Sequence, residues 1–325
     1  MTPQELERVV GGFQPSIVIL AANHAGVFTT LVGSPMAPDA LAARLGLDAR
    51  ALATLADALV CLGALERRDG LLAVPEALRA TFDPASSTSM DSAFTHQWHV
   101  LQRWARLDAV LETGRPLPRG RQDDEQLRAF ILAMADMARR GAWTLWDNVD
   151  LGAFGHLVDV GGGPGELTLA ALERFPNLTA TVFDLPDVLP IARGYAAGRA
   201  VGRRLDFKVG DALKSRIPPC DVALVSSLLH SYGPDGVAKI ARNVAAGVRP
   251  GGLVLIREFM WDDEAHSGPP TTALFAVNML SGTPDGQCWA PSELERIFGG
   301  AGFGDWGSHR LDARTSLLVG VRAGR

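Results

Sequence analysis

The chain has 325 residues, of which 47% are hydrophobic and 21% charged, and a formal net charge of −5 at pH 7. A chain of this length can bury two cores, and its interspersed acids and bases do not indicate a polyanionic partner such as nucleic acid. Three scattered cysteines, the lack of a secretory signal and the lack of an apolar run of about 18 residues predict reduced thiols, no membrane span and a cytoplasmic location.

Helical patterns fill the N-terminal third of the chain. The predicted elements are an almost wholly apolar helix over 13–31, a short helix over 37–47, a longer helix over 49–62 that Asp48 caps, and a hairpin over 65–74 with Asp69-Gly70 as its turn. Helix, turn, helix and hairpin together form a winged-helix pattern. The helix over 49–62 and its Asp48 cap carry one arginine and two aspartates, so this helix lacks the positive charge that DNA binding requires. We therefore expect a packing or dimerisation role.

Two further helices, over 91–112 and 123–147, are rich in aromatic residues and methionines. Such residues at helical spacing are core residues as a rule, and a pocket for an aromatic substrate is the alternative. Met134 and Met137 are the candidates for that pocket. His96 and His99 lie one turn apart without an obvious third ligand, so we expect no metal site.

From residue 151 onward, strands alternate with helices. The predicted strands cover 157–160, 179–184, 205–209, 220–227 and 253–258. Repeated βα units predict an α/β fold with a doubly wound parallel sheet, which binds its ligands at the carboxyl ends of the strands. Polar residues fall at or just past these ends: Asp159, Asp184, Asp211, His230 and Glu258. We divide the chain into a helical domain, 1–117, and an α/β domain, 118–325.

The first βα unit carries a glycine-rich turn at 161–165 that is suited to a nucleotide-type cofactor. Glycines let a ligand approach the backbone, the helix N-terminus presents free N–H groups, and Asp184 on the next strand can accept two ribose hydroxyls. Glu166 would repel a phosphate, whereas Asp159 could accept a protonated amino group. The pattern therefore favours S-adenosylmethionine over a dinucleotide, with a glycine turn used only for packing as a third interpretation.

Six short motifs extend this pattern along the chain: Val158-Asp159-Val160-Gly161-Gly162-Gly163-Pro164-Gly165, Phe183-Asp184-Leu185-Pro186, Gly210-Asp211, Leu229-His230, Arg249-Pro250-Gly251-Gly252 and Ala301-Gly302-Phe303. With them the chain resembles the plant-type and bacterial small-molecule O-methyltransferases, the group that includes caffeate and acetylserotonin methyltransferases. The resemblance covers nearly the whole chain, including the winged-helix module. It implies a Rossmann-like catalytic domain, an S-adenosylmethionine cofactor, a homodimer and a small-molecule acceptor.

The resemblance also implies roles for single residues. Asp184 would bind the ribose hydroxyls and Asp211 the adenine amino group, while His230 would be the general base. An imidazole is a suitable base for a phenol, whose pKa of about 10 leaves it neutral at pH 7. Further cofactor contacts are expected at the turn and at neighbouring strand ends: Asp159, Gly161, Gly163, Leu185, Gly210, Ala212 and Ser226.

The chain departs from the family around the base. Ser231-Tyr232 stands where an acid is frequent, and Ser226 replaces a lysine. Glu258 fits the first of two carboxylates that commonly orient the base, but the second falls near Gln287-Cys288, with Asp285 as the nearest acid. Carbon methylation or a non-methylating reaction on the same scaffold therefore remains an alternative, as does a sensor that binds cofactor or DNA.

A segment over 275–280 resembles the substrate-facing helix of the family. We expect Phe275, Asn278 and Met279 to line the acceptor pocket beside Met134 and Met137. Core packing explains Phe275 and Met279 equally well, whereas the Asn278 amide needs hydrogen-bond partners. The favoured function is a homodimeric S-adenosylmethionine-dependent O-methyltransferase that acts on a hydroxylated aromatic or polyketide-like metabolite.

Overall fold

The structure is a computed structural model that describes residues 1–117 and 124–324, with the backbone alone at 124 and 125. The chain forms two compact units, Met1–Gln102 and Arg103–Arg325. Residue 118, the predicted start of the second domain, lies outside the described residues. The second unit begins earlier because Trp104 hydrogen-bonds to Asn278, and the helix Leu107–Thr113 packs on the helix that contains Asn278.

The first unit is helical apart from one hairpin. Its elements are α1 (Pro3–Gly11), α2 (Phe13–His24), α3 (Val27–Gly33), α4 (Pro38–Leu45), α5 (Ala49–Cys61), β1 (Glu66–Arg68), β2 (Leu71–Ala73), α6 (Glu76–Phe82) and most of α7 (Asp91–Trp104). The hairpin and the Asp48 cap of α5 are confirmed. The single helix predicted over 13–31 is wrong, because Gly26 takes a left-handed conformation (φ +78°) that ends the helix.

No single helix in the described part of the chain is long and apolar enough to cross a membrane. The segment Pro3–His24, which contains α1 and α2, reaches that length only together with α3, and the two are bent by 60° relative to each other.

The second unit alternates helices and strands after an initial helical segment. Its elements are α8 (Leu107–Thr113), α9 (Asp124–Arg139), α10 (Ala142–Asp147), β3 (His156–Val160), α11 (Glu166–Arg174), β4 (Thr179–Asp184), α12 (Leu189–Ala196), β5 (Leu205–Val209), β6 (Cys220–Ser226), α13 (Pro234–Ala245), β7 (Val248–Glu258), α14 (Pro270–Gly282), α15 (Pro291–Gly299), β8 (Phe303–Arg310) and β9 (Ser316–Arg322), with 3-10 turns at Ala200–Arg204 and Leu229–Ser231. The helices predicted over 91–112 and 123–147 are each two helices, and Asp123 lies outside the described residues.

The described strands of this unit form one sheet in the order β5-β4-β3-β6-β7-β9-β8. The parallel pairing of β3 to β7 confirms the prediction, whereas the antiparallel strands β8 and β9 were not predicted. Along β3, Val158 and Val160 join the core cluster that contains α13 and α15 residues. Leu157 joins the cluster that contains α10, α11 and α12 residues. Helices therefore cover both faces of the sheet, and Asp159 points to the α11 face.

The strand order reverses at β3, which has β4 on one side and β6 on the other. The connections that leave β3 and β6 run in opposite directions from this point. A crevice therefore forms at the carboxyl ends of these strands. The glycine turn follows β3 directly, and the segment with His230 follows β6. Topology alone therefore brings the two parts of the predicted site to one edge of the sheet.

Candidate active site

The glycine turn after β3 is shaped by close contacts on one side and open space on the other. Gly161 and Gly163 have positive φ angles of +67° and +54°, which glycine adopts without strain. A Cβ at Gly161 would lie 2.9 Å from the Leu228 side chain, and one at Gly162 would lie 2.6 Å from the Asp159 carboxylate. A Cβ at Gly163 would meet nothing within 4 Å. The turn thus presents bare backbone to the crevice.

Asp184, the last residue of β4, faces this turn. Its Oδ2 accepts the Gly163 N–H at 2.7 Å, and its Oδ1 accepts the N–H of the exposed Leu185 at 2.7 Å. Burial raises the pKa of Asp184, although both backbone hydrogen bonds lower it in part. Each oxygen keeps a lone pair, so the carboxylate can accept a pair of hydroxyl donors. This arrangement fits a ribose diol.

The end of β5 forms the next part of the rim. Gly210 has no room for a side chain, because a Cβ would overlap the Phe183 ring. Asp211 pairs with Lys214 at 3.0 Å. Burial raises the pKa of Asp211, but hydrogen bonds from the backbone and from Lys214 outweigh this effect. The pKa of Asp211 is therefore held below its usual range. Asp211 is therefore an ionised acceptor at the rim, and the neighbouring Ala212 packs against the core.

Asp159 lies deeper than the sequence indicated. It belongs to β3 rather than to the turn, is 2% exposed, and accepts the Thr168 hydroxyl at 2.6 Å. Burial raises its pKa to about 7, with smaller effects from Thr168, which lowers it, and Asp184, which raises it. A carboxyl group beneath Gly162 supports the turn from below. Asp159 lies within the strand predicted over 157–160, and the amino-group contact expected of it stays a prediction.

Glu166, the first residue of α11, is occupied inside the protein. Its Oε2 accepts the Tyr195 hydroxyl at 2.6 Å and an Arg199 N–H at 3.1 Å, and its Oε1 lies 3.6 Å from Nε of Arg139. Its charge is therefore balanced by two guanidinium groups. These ion pairs offset the Glu166 charge that was expected to repel a phosphate, and sequence spacing did not reveal them.

His230 and Glu258 form the most tightly organised pair at this edge. Glu258 is 1% exposed, and its Oε2 lies 2.7 Å from Nδ1 of His230. Its Oε1 accepts the backbone N–H groups of Leu228 and Leu229 at 2.7 and 2.8 Å. Since an ionised carboxylate only accepts hydrogen bonds, Nδ1 donates, and Nε2 of a neutral ring carries the lone pair. The ring is therefore held in one orientation, with Nε2 able to accept a proton.

Two phenylalanines surround this histidine. The Phe275 ring meets the His230 ring edge-on at a centroid distance of 4.8 Å, and it stacks on Phe259 at 3.9 Å. Phe275 therefore lies next to His230, and its role in lining an acceptor pocket stays a prediction. Sequence analysis missed Phe259, although its place directly after Glu258 could have indicated it.

Asn278 lies one turn after Phe275 on α14 and is half-buried. Its Oδ1 lies 3.3 Å from Nε1 of Trp104 and 3.4 Å from Nη2 of Arg103. Both partners are obligate donors, so the amide oxygen must face them and the NH₂ group points away. Sequence analysis missed Trp104 and Arg103, because no local signal connects them to a residue so distant in the chain.

The methionines of the predicted pocket differ in their surroundings. Met279 is buried at 8% exposure, whereas Met134 and Met137 are half-buried on α9. Helix α9 packs on α10 and α11. A pocket role for these three residues stays a prediction.

No group of three His, Cys, Asp or Glu residues within 1–117 and 124–324 could hold a metal ion. His99 contacts the His24 ring edge-on at 6.4 Å, and His24 stacks on Trp98.

The chain is similar over most of its length to proteins of known activity. A family model described as an O-methyltransferase domain matches residues 113–304. The chain is 28% identical to the tetracenomycin polyketide synthesis 8-O-methyl transferase TcmO of Streptomyces glaucescens, over 98% of this chain and 96% of that protein. It is 29% identical to the acetylserotonin O-methyltransferase of Gallus gallus, over 93% and 92%.

A solved structure is also similar. The crystal structure of human N-acetylserotonin methyltransferase in complex with S-adenosylmethionine aligns with a TM-score of 0.88 at 25% identity, over 99% of this chain and 97% of that one. The chain belongs to the O-methyltransferase family. Its members are S-adenosylmethionine-dependent enzymes. The cofactor fits the site found here, which offers an open glycine turn and a preorganised Asp184.

The departures from the family pattern have structural counterparts. Near the missing second carboxylate, burial and, to a lesser degree, the Glu258 charge raise the pKa of the Cys288 thiol to about 12, so it stays neutral. The Asp285 Cβ lies near Gly233. At the position of the replaced lysine, Ser226 accepts a hydrogen bond from Arg257 at 3.4 Å. A cation is therefore present beside Ser226, although it comes from the neighbouring strand.

Replacing Asp159 by Asn tests the buried carboxyl group. A folded-state pKa raised from 3.8 to about 7 gives stability that is present below pH 3.8 and is lost as pH rises through 7. The stability of Asp159→Asn relative to the wild type should thus increase between pH 4 and 8, by at most about 4 kcal/mol. Urea denaturation of the ligand-free protein across this range measures the difference. Asp206→Asn on exposed β5 is the control, and equal pH profiles for both variants would contradict the assignment.

Proposed function

We propose that this enzyme transfers a methyl group to a hydroxyl of a hydroxylated aromatic or polyketide-like small molecule in natural-product biosynthesis, with His230 as the general base. The observation that carries the proposal is the 2.7 Å contact between His230 Nδ1 and the buried Glu258 carboxylate, at the same sheet edge as the glycine turn. The printed name of TcmO, a polyketide 8-O-methyl transferase, supports this acceptor class.

The residues at the ends of β3, β4 and β5 would hold the cofactor. S-adenosylmethionine supplies, when bound, a methyl group on a positively charged sulfur. Asp184 would accept the ribose hydroxyls and Asp211 the adenine amino group, while Gly161 and Gly163 let the backbone approach. Asp159 would support the turn from beneath. Further contacts are proposed at adjoining positions: Leu185, Gly210, Ala212 and Ser226.

His230 would take the proton of the acceptor hydroxyl on Nε2, which converts the oxygen into the nucleophile. The ring becomes an imidazolium, and Glu258 stabilises that charge through the Nδ1–H hydrogen bond. Because two backbone amides hold the Glu258 carboxylate, the ring needs no reorientation during the transfer. Residues that hold the acceptor in a fixed orientation beside the cofactor site would supply the remaining rate enhancement.

The acceptor would lie among the aromatic and amide groups near His230. Phe275 and Phe259 offer ring faces and edges to an aromatic acceptor. The Asn278 NH₂ group, turned away from its donor partners, would donate to an acceptor oxygen. Met134, Met137 and Met279 would complete an apolar, adaptable wall.

The first unit would be a winged-helix dimerisation module. Its α4, α5 and the β1–β2 hairpin follow the winged-helix order. Helix α1 buries none of its residues, and Leu6, Val9 and Val10 each expose more than half of their surface. An exposed apolar strip of this kind is typical of an interface. We expect it to be covered by a second copy of the chain.

Carbon methylation remains the second candidate, because a single described carboxylate, Glu258, hydrogen-bonds to the His230 ring. A carbon acceptor that is already nucleophilic depends less on deprotonation, so it would require a less strongly oriented base. The effect of removing His230 separates the two candidates.

Calorimetric titration with S-adenosylhomocysteine tests the cofactor site. We expect micromolar binding, and no comparable binding of NAD. Asp184→Asn should weaken binding about 10- to 100-fold, because hydrogen bonds to a charged group contribute roughly 1.5–3 kcal/mol. Asp206→Asn, which removes an exposed acid of β5, should bind like the wild type. Preference for NAD would exclude the proposed site.

Removing the base tests the proposed catalysis. His230→Ala should lower kcat by about 10²–10⁴-fold and leave the S-adenosylhomocysteine affinity within about twofold of the wild type, because the proposed cofactor contacts lie on other residues. The comparison variant His309→Ala removes an exposed histidine of β8 and should be fully active. Unchanged turnover of His230→Ala on its acceptor would rule out base catalysis and favour the carbon-methylation candidate.

The oligomeric state tests the proposed interface. Sedimentation velocity of the wild type should give twice the mass of the chain. Replacing Leu6, Val9 and Val10 by Lys should produce monomers, because an interface loses affinity when its apolar centre becomes charged. Leu111→Lys, at an exposed leucine of α8, should remain dimeric. A monomeric wild type would refute the proposal.

A further inference from the structure

Arg257 lies at the carboxyl edge of the sheet, in line with the glycine turn. It is the penultimate residue of β7, and its partner in β6 is Ser226. Along the β3–β6 register, Val160 pairs with Val225, and the next residue after Val160 is Gly161. A row across three adjacent strand ends therefore runs from Gly161 through Ser226 to Arg257.

The Arg257 side chain extends along this row. Its Nη1 donates to Ser226 Oγ at 3.4 Å and to Ser227 Oγ at 3.3 Å. Its Nη2 would lie 3.3 Å from a Cβ at Gly141, so a larger residue there would crowd the guanidinium. Because neighbouring strands are about 4.8 Å apart, a guanidinium beside Ser226 lies about one strand spacing from the end of β3. That end begins the proposed cofactor site.

Among residues 1–117 and 124–324, no anion forms a salt bridge with Arg257. The residue is 8% exposed, its hydrogen-bond partners are neutral hydroxyls, and its Nε has no partner among the described residues. Burial lowers the pKa of Arg257, although Asp312 and Glu258 raise it from beyond salt-bridge distance. Glu258 already accepts three hydrogen bonds. The part of the chain that the structure describes therefore does not neutralise this cation at close range.

A buried charge without a close counterion is unfavourable, and a guanidinium does not relieve the cost by losing its proton. Its planar fork matches a carboxylate, and the two serine hydroxyls add donors on the same side. Ser227 also holds a left-handed backbone conformation (φ +52°), which is uncommon for a residue other than glycine and recurs at functional sites. The arrangement has the character of an anion-binding position that a ligand completes.

We propose that Arg257, with Ser226 and Ser227, binds a ligand carboxylate at the active-site edge of the sheet. The inference rests on the proposed function, since it assumes that donor and acceptor meet at this edge. The carboxylate belongs either to the methionyl part of the methyl donor or to the acceptor. Both sources present the same chemistry to the guanidinium, and they separate in binding experiments.

The test compares ligands that differ only in a carboxylate. One pair is S-adenosylhomocysteine and its analogue with hydrogen in place of the α-carboxylate. The other pair is 3-hydroxy-2-naphthoate and 2-naphthol, each titrated into enzyme saturated with S-adenosylhomocysteine. We expect the wild type to prefer the carboxylate by at least about tenfold in one pair, because charge-assisted hydrogen bonds are stronger than neutral ones. The pair that shows the preference identifies the source.

Variants connect the preference to this residue. Arg257→Met should abolish the preference, and Arg257→Lys should restore part of it, because lysine keeps the charge without the fork. Arg249→Met removes an arginine from the other end of β7, where it pairs with Asp221 at the surface, and should leave the preference unchanged. Thermal unfolding of each variant verifies that it is folded.

Two results would overturn the inference. One is a wild type without carboxylate preference in either pair, which needs no variant and so does not depend on the folding of Arg257→Met. The other is a folded Arg257→Met that keeps the preference. In both cases, micromolar binding of S-adenosylhomocysteine by the wild type would leave the proposed function intact. A wild type that bound no S-adenosylhomocysteine would overturn the proposed function and this inference together.

Discussion

The buried Glu258 carboxylate accepts hydrogen bonds from the Leu228 and Leu229 amides and lies 2.7 Å from Nδ1 of His230. These contacts tie the end of β7 to the segment that follows β6. A carboxylate so far from water requires several donors, and each donor is fixed by it in turn. The orientation of His230 and the position of Leu228, against which Gly161 packs, both follow from this one group.

Two carboxyl groups near the glycine turn have different environments and therefore different uses. Asp159 lies beneath the turn, and burial raises its pKa to about 7. Asp184 sits at the rim, where the Gly163 and Leu185 amides hold its oxygens toward the crevice. The deeper group supports the backbone of the turn, and the shallower one is available to a ligand. Neighbouring acids thus acquire separate roles through burial and hydrogen bonding rather than through residue type.

Family membership gives the enzyme class, but this chain differs from the family pattern at two positions near His230. The cation beside Ser226 comes from Arg257 on the neighbouring strand, and the region of the second carboxylate holds the neutral Cys288 thiol. The first change supplies a cation from a different strand, and the second puts a neutral thiol where an acid is frequent, while the Glu258–His230 contact is kept. Differences of this kind are where related enzymes with one fold acquire different acceptors.

The sequence by itself determined that the strands are parallel, where the glycine turn lies and which polar residues stand at strand ends, because short apolar runs and glycine turns are local signals. It also placed Asp184, His230 and Glu258 at one edge, since parallel strands share their carboxyl side. Only the tertiary structure decided that Asp159 is buried and that Arg257 reaches Ser226. Burial and contacts between distant strands depend on register and helix packing, which no local pattern encodes.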